Sequence, residues 1–164
     1  MNIFRLRWKN DPEVINMLTQ KENELIKDLK DQEKLCIEKY TKQAAAAVDG
    51  QLKNLFTQIA QVEQGHLNTL DKITDGSPLP SFSGSQPQPT FTAVYTAAST
   101  PDKETDCYLC SDMLATEKHA SHLYDTCIFE FKDENLRNAL NHIQKEEQGH
   151  GKMIYDYMST NSMY

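Results

Sequence analysis

The tetrapeptide Glu63-Gln64-Gly65-His66 recurs as Glu147-Gln148-Gly149-His150, 84 positions later (147 − 63). The same offset carries Glu33 onto Glu117. Each half of the chain therefore holds a lone glutamate followed by a Glu-x-x-His. Aligned without gaps from Leu25 to Ile73, the halves also keep Leu25/Leu109, Asp28/Asp112, Lys34/Lys118 and Tyr40/Tyr124. Further on they keep Asp49/Asp133, Leu52/Leu136, Asn54/Asn138 and Ile59/Ile143. Spacing is retained while ordinary core residues drift, which points to a duplicated hairpin held to one geometry.

Outward from the repeat, the apolar pattern predicts four helices. The first is expected from about Pro12 to Val48, with Leu25, Leu29, Cys36, Tyr40, Ala44 and Ala47 on one face. Steps of three and four residues describe such a face. Asp49 can cap a second helix, whose face reads Leu52, Phe56, Ile59, Leu70 and Ile73. The third face reads Leu109, Met113, Ala120, Tyr124, Ile128 and Phe131. Asp133 can cap a fourth helix carrying Leu136, Leu140, Ile143, Ile154 and Tyr157. Between helices two and three, Pro78, Pro80, Pro87 and Pro89 exclude a helix, and Ser, Thr and Gln fill an extended stretch. The expected organisation is a single domain over 1–164. A first hairpin spans 12–74, a crossover 75–101 and a second hairpin 102–159. A structureless connection this long suits a ferritin-like four-helix bundle, which needs one crossover running its length. The fold class expected is thus all-α, a ferritin-like bundle of two duplicated hairpins.

The six repeated residues fall inside the apolar stripes. Glu33 lies four after Leu29 and three before Cys36, and Glu117 lies likewise between Met113 and Ala120. Glu63 and His66 continue the stripe from Ile59 to Leu70; Glu147 and His150 continue it from Ile143 to Ile154. Residues three apart share a helix face, so each Glu and His can reach one ion. A buried carboxylate without a partner costs several kcal/mol, and four at one level call for compensating cations. A glutamate from each of two helices and a Glu-x-x-His from each of the other two is the ligand set of ferritin-like dinuclear proteins. The expected metal ligands are Glu33, Glu63, His66, Glu117, Glu147 and His150. Two iron or manganese ions are the expected cofactors, with zinc a substitute, and Glu33 and Glu117 are expected to bridge them. One Glu-x-x-His arises readily by chance; two in register on core faces do not. A site inherited as a polar core network is the intermediate possibility.

Composition narrows the partners. A formal charge of −7 argues against nucleic acid and anionic membranes. No apolar run approaches the roughly 20 residues of a membrane helix. The opening Met-Asn-Ile-Phe-Arg-Leu-Arg-Trp lacks the apolar stretch of a signal peptide, so secretion is not expected. Four cysteines do not form a secreted disulfide framework. Cys107 and Cys110 sit early in the third helix, where the dipole favours a thiolate, and read equally as a redox pair or as ordinary reduced thiols. Cys36 and Cys127 read as core residues. His119, His122 and His142 lie off the ligand level and read as surface residues. Tyr40 and Tyr124 read as packing residues with a satisfied hydroxyl, a supporting role at the centre being the alternative. Phe4 and Trp8 can strap the bundle or meet a neighbour.

The second half also carries a family resemblance. Ser111-Asp112-Met113-Leu114-Ala115-Thr116-Glu117-Lys118-His119, then Glu134-Asn135-Leu136-Arg137-Asn138, Glu146-Glu147-Gln148-Gly149-His150 and Ile154-Tyr155-Asp156-Tyr157-Met158, resemble the Coat F family of bacterial spore coat proteins. The first half resembles a diverged copy, and the whole resembles the superfamily that includes rubrerythrins. Rubrerythrins carry two Cys-x-x-Cys pairs and a further carboxylate one turn from the third-helix glutamate. This chain has one such pair, and Leu114 and Ala120 at those positions. The resemblance implies a protein made in the cytoplasm of a sporulating cell and laid into the spore coat. It further implies self-association as a homo-oligomer or contacts with other coat proteins. Two functions follow: a dinuclear centre handling peroxide, dioxygen or metal, or a self-assembling coat block. In the second, metal is absent or only stabilising, and thiols and Tyr155, Tyr157 and Tyr164 cross-link.

Overall fold

The computed structural model describes residues 18–84 and 86–164, and they form four helices. The first residues of the expected first helix, 12–17, and Phe4 and Trp8 lie outside them. Helix α1 spans Gln20–Ala46, α2 Gly50–Asp75, α3 Pro101–Glu130 and α4 Glu134–Thr160. Each start has a chemical cause. Thr19 caps α1 in a reciprocal box with Glu22, so the described helix begins at Gln20. Asp49 and Asp133 cap α2 and α4 as expected, accepting from the amides of Gln51 and Leu136. Thr100 caps α3, and Pro101 takes the first helical position, where its missing N–H costs nothing. At the end of α2, Gly76 adopts φ 72°, a left-handed cap that a side chain would oppose.

Helix α1 stops two residues before the expected Val48. Ala47 turns extended, and the amides of Val48 and Asp49 donate to the two oxygens of buried Asp106, at 2.8 and 2.9 Å. The pseudo-symmetric partner of Asp106 is Glu22, which accepts from the amide of Lys132 in the other hairpin loop at 3.1 Å. Each odd helix thus opens with an acid that clamps the opposite hairpin's turn.

Two apolar clusters flank a polar middle, and each draws on all four helices. One joins Tyr40 and Ala44 of α1, Leu52 and Phe56 of α2, Met113 of α3, and Ile154 and Tyr157 of α4. The other joins Ile26 and Leu29, Leu70 and Ile73, Tyr124 and Cys127, and Leu140 and Ile143. The first cluster therefore sits where α1 and α4 end and α2 and α3 begin; the second sits at the opposite ends. It follows that α1 runs against α2 and α3, while α4 runs against α2 and α3. Helix α1 packs along α2 and α3 along α4, with α1 also facing α3 and α2 facing α4.

Since α2 and α3 run the same way, residues 77–99 must return the full length of the four helices. They do so over the α2–α4 face. Leu79 and Phe82 pack on the second cluster and Phe91 on the first. The extended backbone is satisfied locally: Gln51 exchanges two bonds with Thr92, each 2.9 Å, and Asn161 accepts from the amides of Val94 and Tyr95. No described helix is long and apolar enough to cross a membrane.

Candidate metal centre

All six repeated residues meet in the middle layer, and none is more than 3 % exposed. The rings of His66 and His150 lie stacked with centroids 5.8 Å apart, both presenting Nδ1 to the glutamates. Nδ1 of His66 stands 2.9 Å from Glu63, 3.0 Å from Glu147 and 3.7 Å from Glu33. Nδ1 of His150 stands 3.2 Å from Glu63, 3.5 Å from Glu117 and 3.8 Å from Glu147.

Two four-residue groups result, each with donor atoms within 4.8 Å of one another: Glu33, Glu63, His66 and Glu147, and Glu63, Glu117, Glu147 and His150. Donors at about 2.0–2.2 Å from a common ion lie within about 4.4 Å of each other, so each group would have to draw in slightly around an ion. Glu63 and Glu147 belong to both, whereas Glu33 and Glu117 belong to one each. The expectation places Glu33 and Glu117 between the ions; in this donor grouping it is Glu63 and Glu147 that are common to both sets. The Glu-x-x-His glutamates, on α2 and α4, meet at the centre. The lone glutamates on α1 and α3 approach from the flanks.

The outer glutamates are held from across the core. Tyr40 of α1 donates its hydroxyl to Oε1 of Glu117 on α3, and Tyr124 of α3 donates to Oε1 of Glu33 on α1. The two tyrosines are fully buried and stand at repeat-related positions, so this cross-bracing follows the twofold of the duplication. The alternative reading of these residues, as supports of the centre, is the one the geometry favours.

Sealed among them are polar atoms with no hydrogen-bond partner: Oε2 of Glu33, Oε1 of Glu63, Oε2 of Glu117, both oxygens of Glu147 and both nitrogens of His150. Buried polar atoms are nearly always satisfied, and a cluster of orphaned oxygens asks for a cation. Among the described residues, no lysine or arginine pairs with these glutamates; Lys30 and Lys39 turn outward to Asp71 and Asp112.

Without a cation the layer shares protons instead. Burial pushes Glu33 up to about 8, with Glu147 and Glu63 adding repulsion against the relief from His66. Burial and Glu147 likewise raise Glu117 well above the carboxylate range. Burial would raise Glu63 and Glu147 too, but the two imidazoles outweigh it and hold both below their ordinary value. Burial would lower His66 and His150, yet the surrounding carboxyl groups raise both well above the usual imidazole value. These directions favour two neutral acids, two carboxylates and two imidazolium rings, a set without net charge.

Sequence reasoning did not single out Glu146. It accepts from Nε2 of His66 at 2.8 Å, on the side away from the glutamates, and its other oxygen lies 3.4 Å from His142. Its signal was a break in the repeat: the residue 84 positions earlier is Val62. His142 is half-buried under Phe82, while His119 and His122 are exposed as expected. Cys36 and Cys127 are buried as expected. The thiolate expected of Cys110 is corrected. It lies ten residues into α3, past the first turn where the dipole acts, and burial beside Asp106 pushes its thiol up. Cys107 alone of the pair is half-exposed. Tyr157 is also unavailable for cross-linking, being buried and donating to Asp49, whereas Tyr155 and Tyr164 are exposed.

The fold and the site define an all-α four-helix protein with a buried carboxylate–imidazole layer. Residues 105–164, which make up most of its second hairpin, match the model of the Coat F domain. Neither a curated protein nor a solved structure matches the chain.

Proposed function

We propose that this chain is a ferritin-like spore coat protein holding two iron or manganese ions on Glu33, Glu63, His66, Glu117, Glu147 and His150. The observation that carries the reading is the set of orphaned carboxylate oxygens, contributed by all four glutamates, in a core without a facing lysine or arginine. One ion would take Glu33, Glu63, His66 and Glu147; the other would take Glu63, Glu117, Glu147 and His150. Oxygen donors with one imidazole per ion suit iron or manganese, and zinc substitutes readily. When bound, such a pair supplies electron exchange with peroxide or dioxygen.

The chain's own residues do the rest. Glu63 and Glu147, common to both donor groups, would contribute to both positions. Tyr40 and Tyr124 each tie up one oxygen of an outer glutamate and leave the other facing inward. The apolar clusters above and below keep bulk water from the layer.

The test is elemental analysis of protein purified from its native spores, with metal counted per chain. About two iron or manganese ions are expected. Glu33→Ala or Glu117→Ala should then lose peroxide turnover while retaining the fold. A metal-free folded protein, or variants with unchanged turnover, would overturn the proposal. The second reading, a self-assembling coat block, draws on the Coat F match and on a metal-free layer that is already neutral in charge. It predicts ordered assembly with little turnover, and large exposed side chains such as Tyr108 and Phe129 would serve as its contacts.

A further inference from the structure

The duplication makes the two halves of the centre look equivalent, but the residues around them differ in two independent ways. The first concerns the imidazoles. His66 has Glu146 on Nε2 at 2.8 Å, so a carboxylate orients the ring and raises the basicity of Nδ1. His150 has no hydrogen-bond partner on Nε2 among the described residues, and Val62 stands at the position repeat-related to Glu146.

The second concerns access. A cleft of about 370 Å³ opens between α3 and α4, lined by Leu114, Lys118, Ser121, Gln148 and Gly151, and it ends on Glu117 and Glu147. Glu117 belongs to the His150 group alone, whereas Glu147 is common to both groups. Gly151 keeps the cleft open: a Cβ placed there would touch Leu114 at 3.5 Å. The repeat-related positions of Ser121 and Gly151, between α1 and α2, carry Ile37 and Leu67, both half-buried and far larger. Bulk therefore stands between α1 and α2 where space stands between α3 and α4; a second cleft of about 320 Å³ reaches His66 and Glu146, but none of the four glutamates at the centre lines it.

We propose, resting on the dinuclear reading above, that the two positions are unequal in both affinity and exchange. The His66 position is a retained site for a divalent cation, held by the Glu146 carboxylate acting as a positioning residue. The His150 position is a looser, exchangeable site that divalent ions enter and leave through the α3–α4 cleft. Loss of an outer carboxylate partner on a ligating histidine weakens metal affinity by about 10- to 100-fold, which sets the expected difference between the two steps.

Cobalt(II) is the probe, because its visible spectrum reports coordination without any enzymatic turnover. Full-length metal-free protein titrated with cobalt should bind two ions in two resolved steps, the first roughly 10- to 100-fold tighter. Glu146→Val copies the His150 environment onto His66, so the first step should weaken until the two merge; Glu146→Gln, which keeps an acceptor oxygen, should restore part of the gap. Val62→Glu should tighten only the second step. Gly151→Leu, copying Leu67, should slow removal of the second ion by a chelator while leaving the first step unchanged. Circular dichroism confirms that each variant is folded, and Glu146→Gln suffices if Val62→Glu is not. Two ions bound with one constant, or Glu146→Val weakening both steps equally, would overturn this inference while leaving the dinuclear proposal standing. Failure of the wild-type protein to bind cobalt would overturn both.

Discussion

Filling the centre should expel protons, and the number follows from the charge tally of the layer. In the metal-free site the raised values favour the protonated forms of Glu33 and Glu117, through burial, and of His66 and His150, through the surrounding carboxyl groups against burial. Metal ligation requires neutral imidazoles and ionised carboxylates. Two divalent ions bring four positive charges, and expelling four protons leaves the buried layer as neutral as before. The expected stoichiometry is about four protons per chain, or two per ion. Two protons per ion means that each apparent binding constant rises on the order of a hundredfold per pH unit while those groups stay protonated. The rise should flatten as pH passes the value of about 8 for Glu33.

The sign for stability runs the opposite way in the metal-free protein. Glu33, Glu117 and both histidines have raised values, so their contribution is complete below the unfolded values and is lost as pH climbs. Metal-free protein should therefore be most stable in mildly acid solution and weaken towards pH 8, while loaded protein should not. Isothermal titration of metal-free protein with manganese or zinc, repeated in buffers of different ionisation enthalpy, counts the protons directly. Fewer than about one proton per ion would refute the reasoning, because the cations would then be resting on surface carboxylates that are already ionised.

Two further outcomes follow from contacts outside the centre. Asp106→Ala strips the amides of Val48 and Asp49 and the hydroxyl of Tyr95 of their acceptor inside the fold, and thermal or denaturant unfolding should show a loss of about 2–4 kcal/mol. A change under 0.5 kcal/mol would mean that the clamp between hairpins is dispensable. Thiol labelling under native conditions should modify Cys107 first. Cys127, whose thiol burial pushes up to about 11, should label only as pH rises towards that value, and Cys36 and Cys110 should wait for unfolding. Four equivalent rates would refute the burial assigned to these side chains.

The helices were legible because duplication supplies an internal control that a single copy lacks. Asp49 and Asp133 mark both even helices, and the apolar steps around Leu52/Leu136 and Ile59/Ile143 agree with each other. The limits of α1 were less legible. Periodicity runs through Ala47, yet the chain leaves the helix there because Asp106, 59 residues further on (106 − 47), captures the next two amides. A tertiary acceptor ended that helix, and nothing within its own sequence announces it. Placement of the crossover over α2 and α4 was likewise hidden, since it rests on Gln51 and Asn161 reaching backbone that carries little pattern of its own.

Convergence of the six site residues was readable because each sits on a stripe whose inward direction is fixed by its apolar neighbours. Which glutamates stand between the two groups was not readable. A helical wheel places Glu33 and Glu63 alike on core faces, and the distinction arises only from how far each side chain reaches across the layer. The asymmetry lay at an intermediate level. Glu146/Val62 and Gly151/Leu67 appear in the alignment as drift, indistinguishable from replacements such as Ala44/Ile128. They acquire meaning only when His66 Nε2 is found beside Glu146 and the α3–α4 cleft is found to end on Glu117 and Glu147. In a duplicated fold the matched positions therefore report what the centre requires. The mismatched ones carry information about function when they touch a matched residue, and packing drift accounts for the rest. By that criterion Val62 and Gly151 are the positions at which substitution should change how the centre behaves without dismantling it.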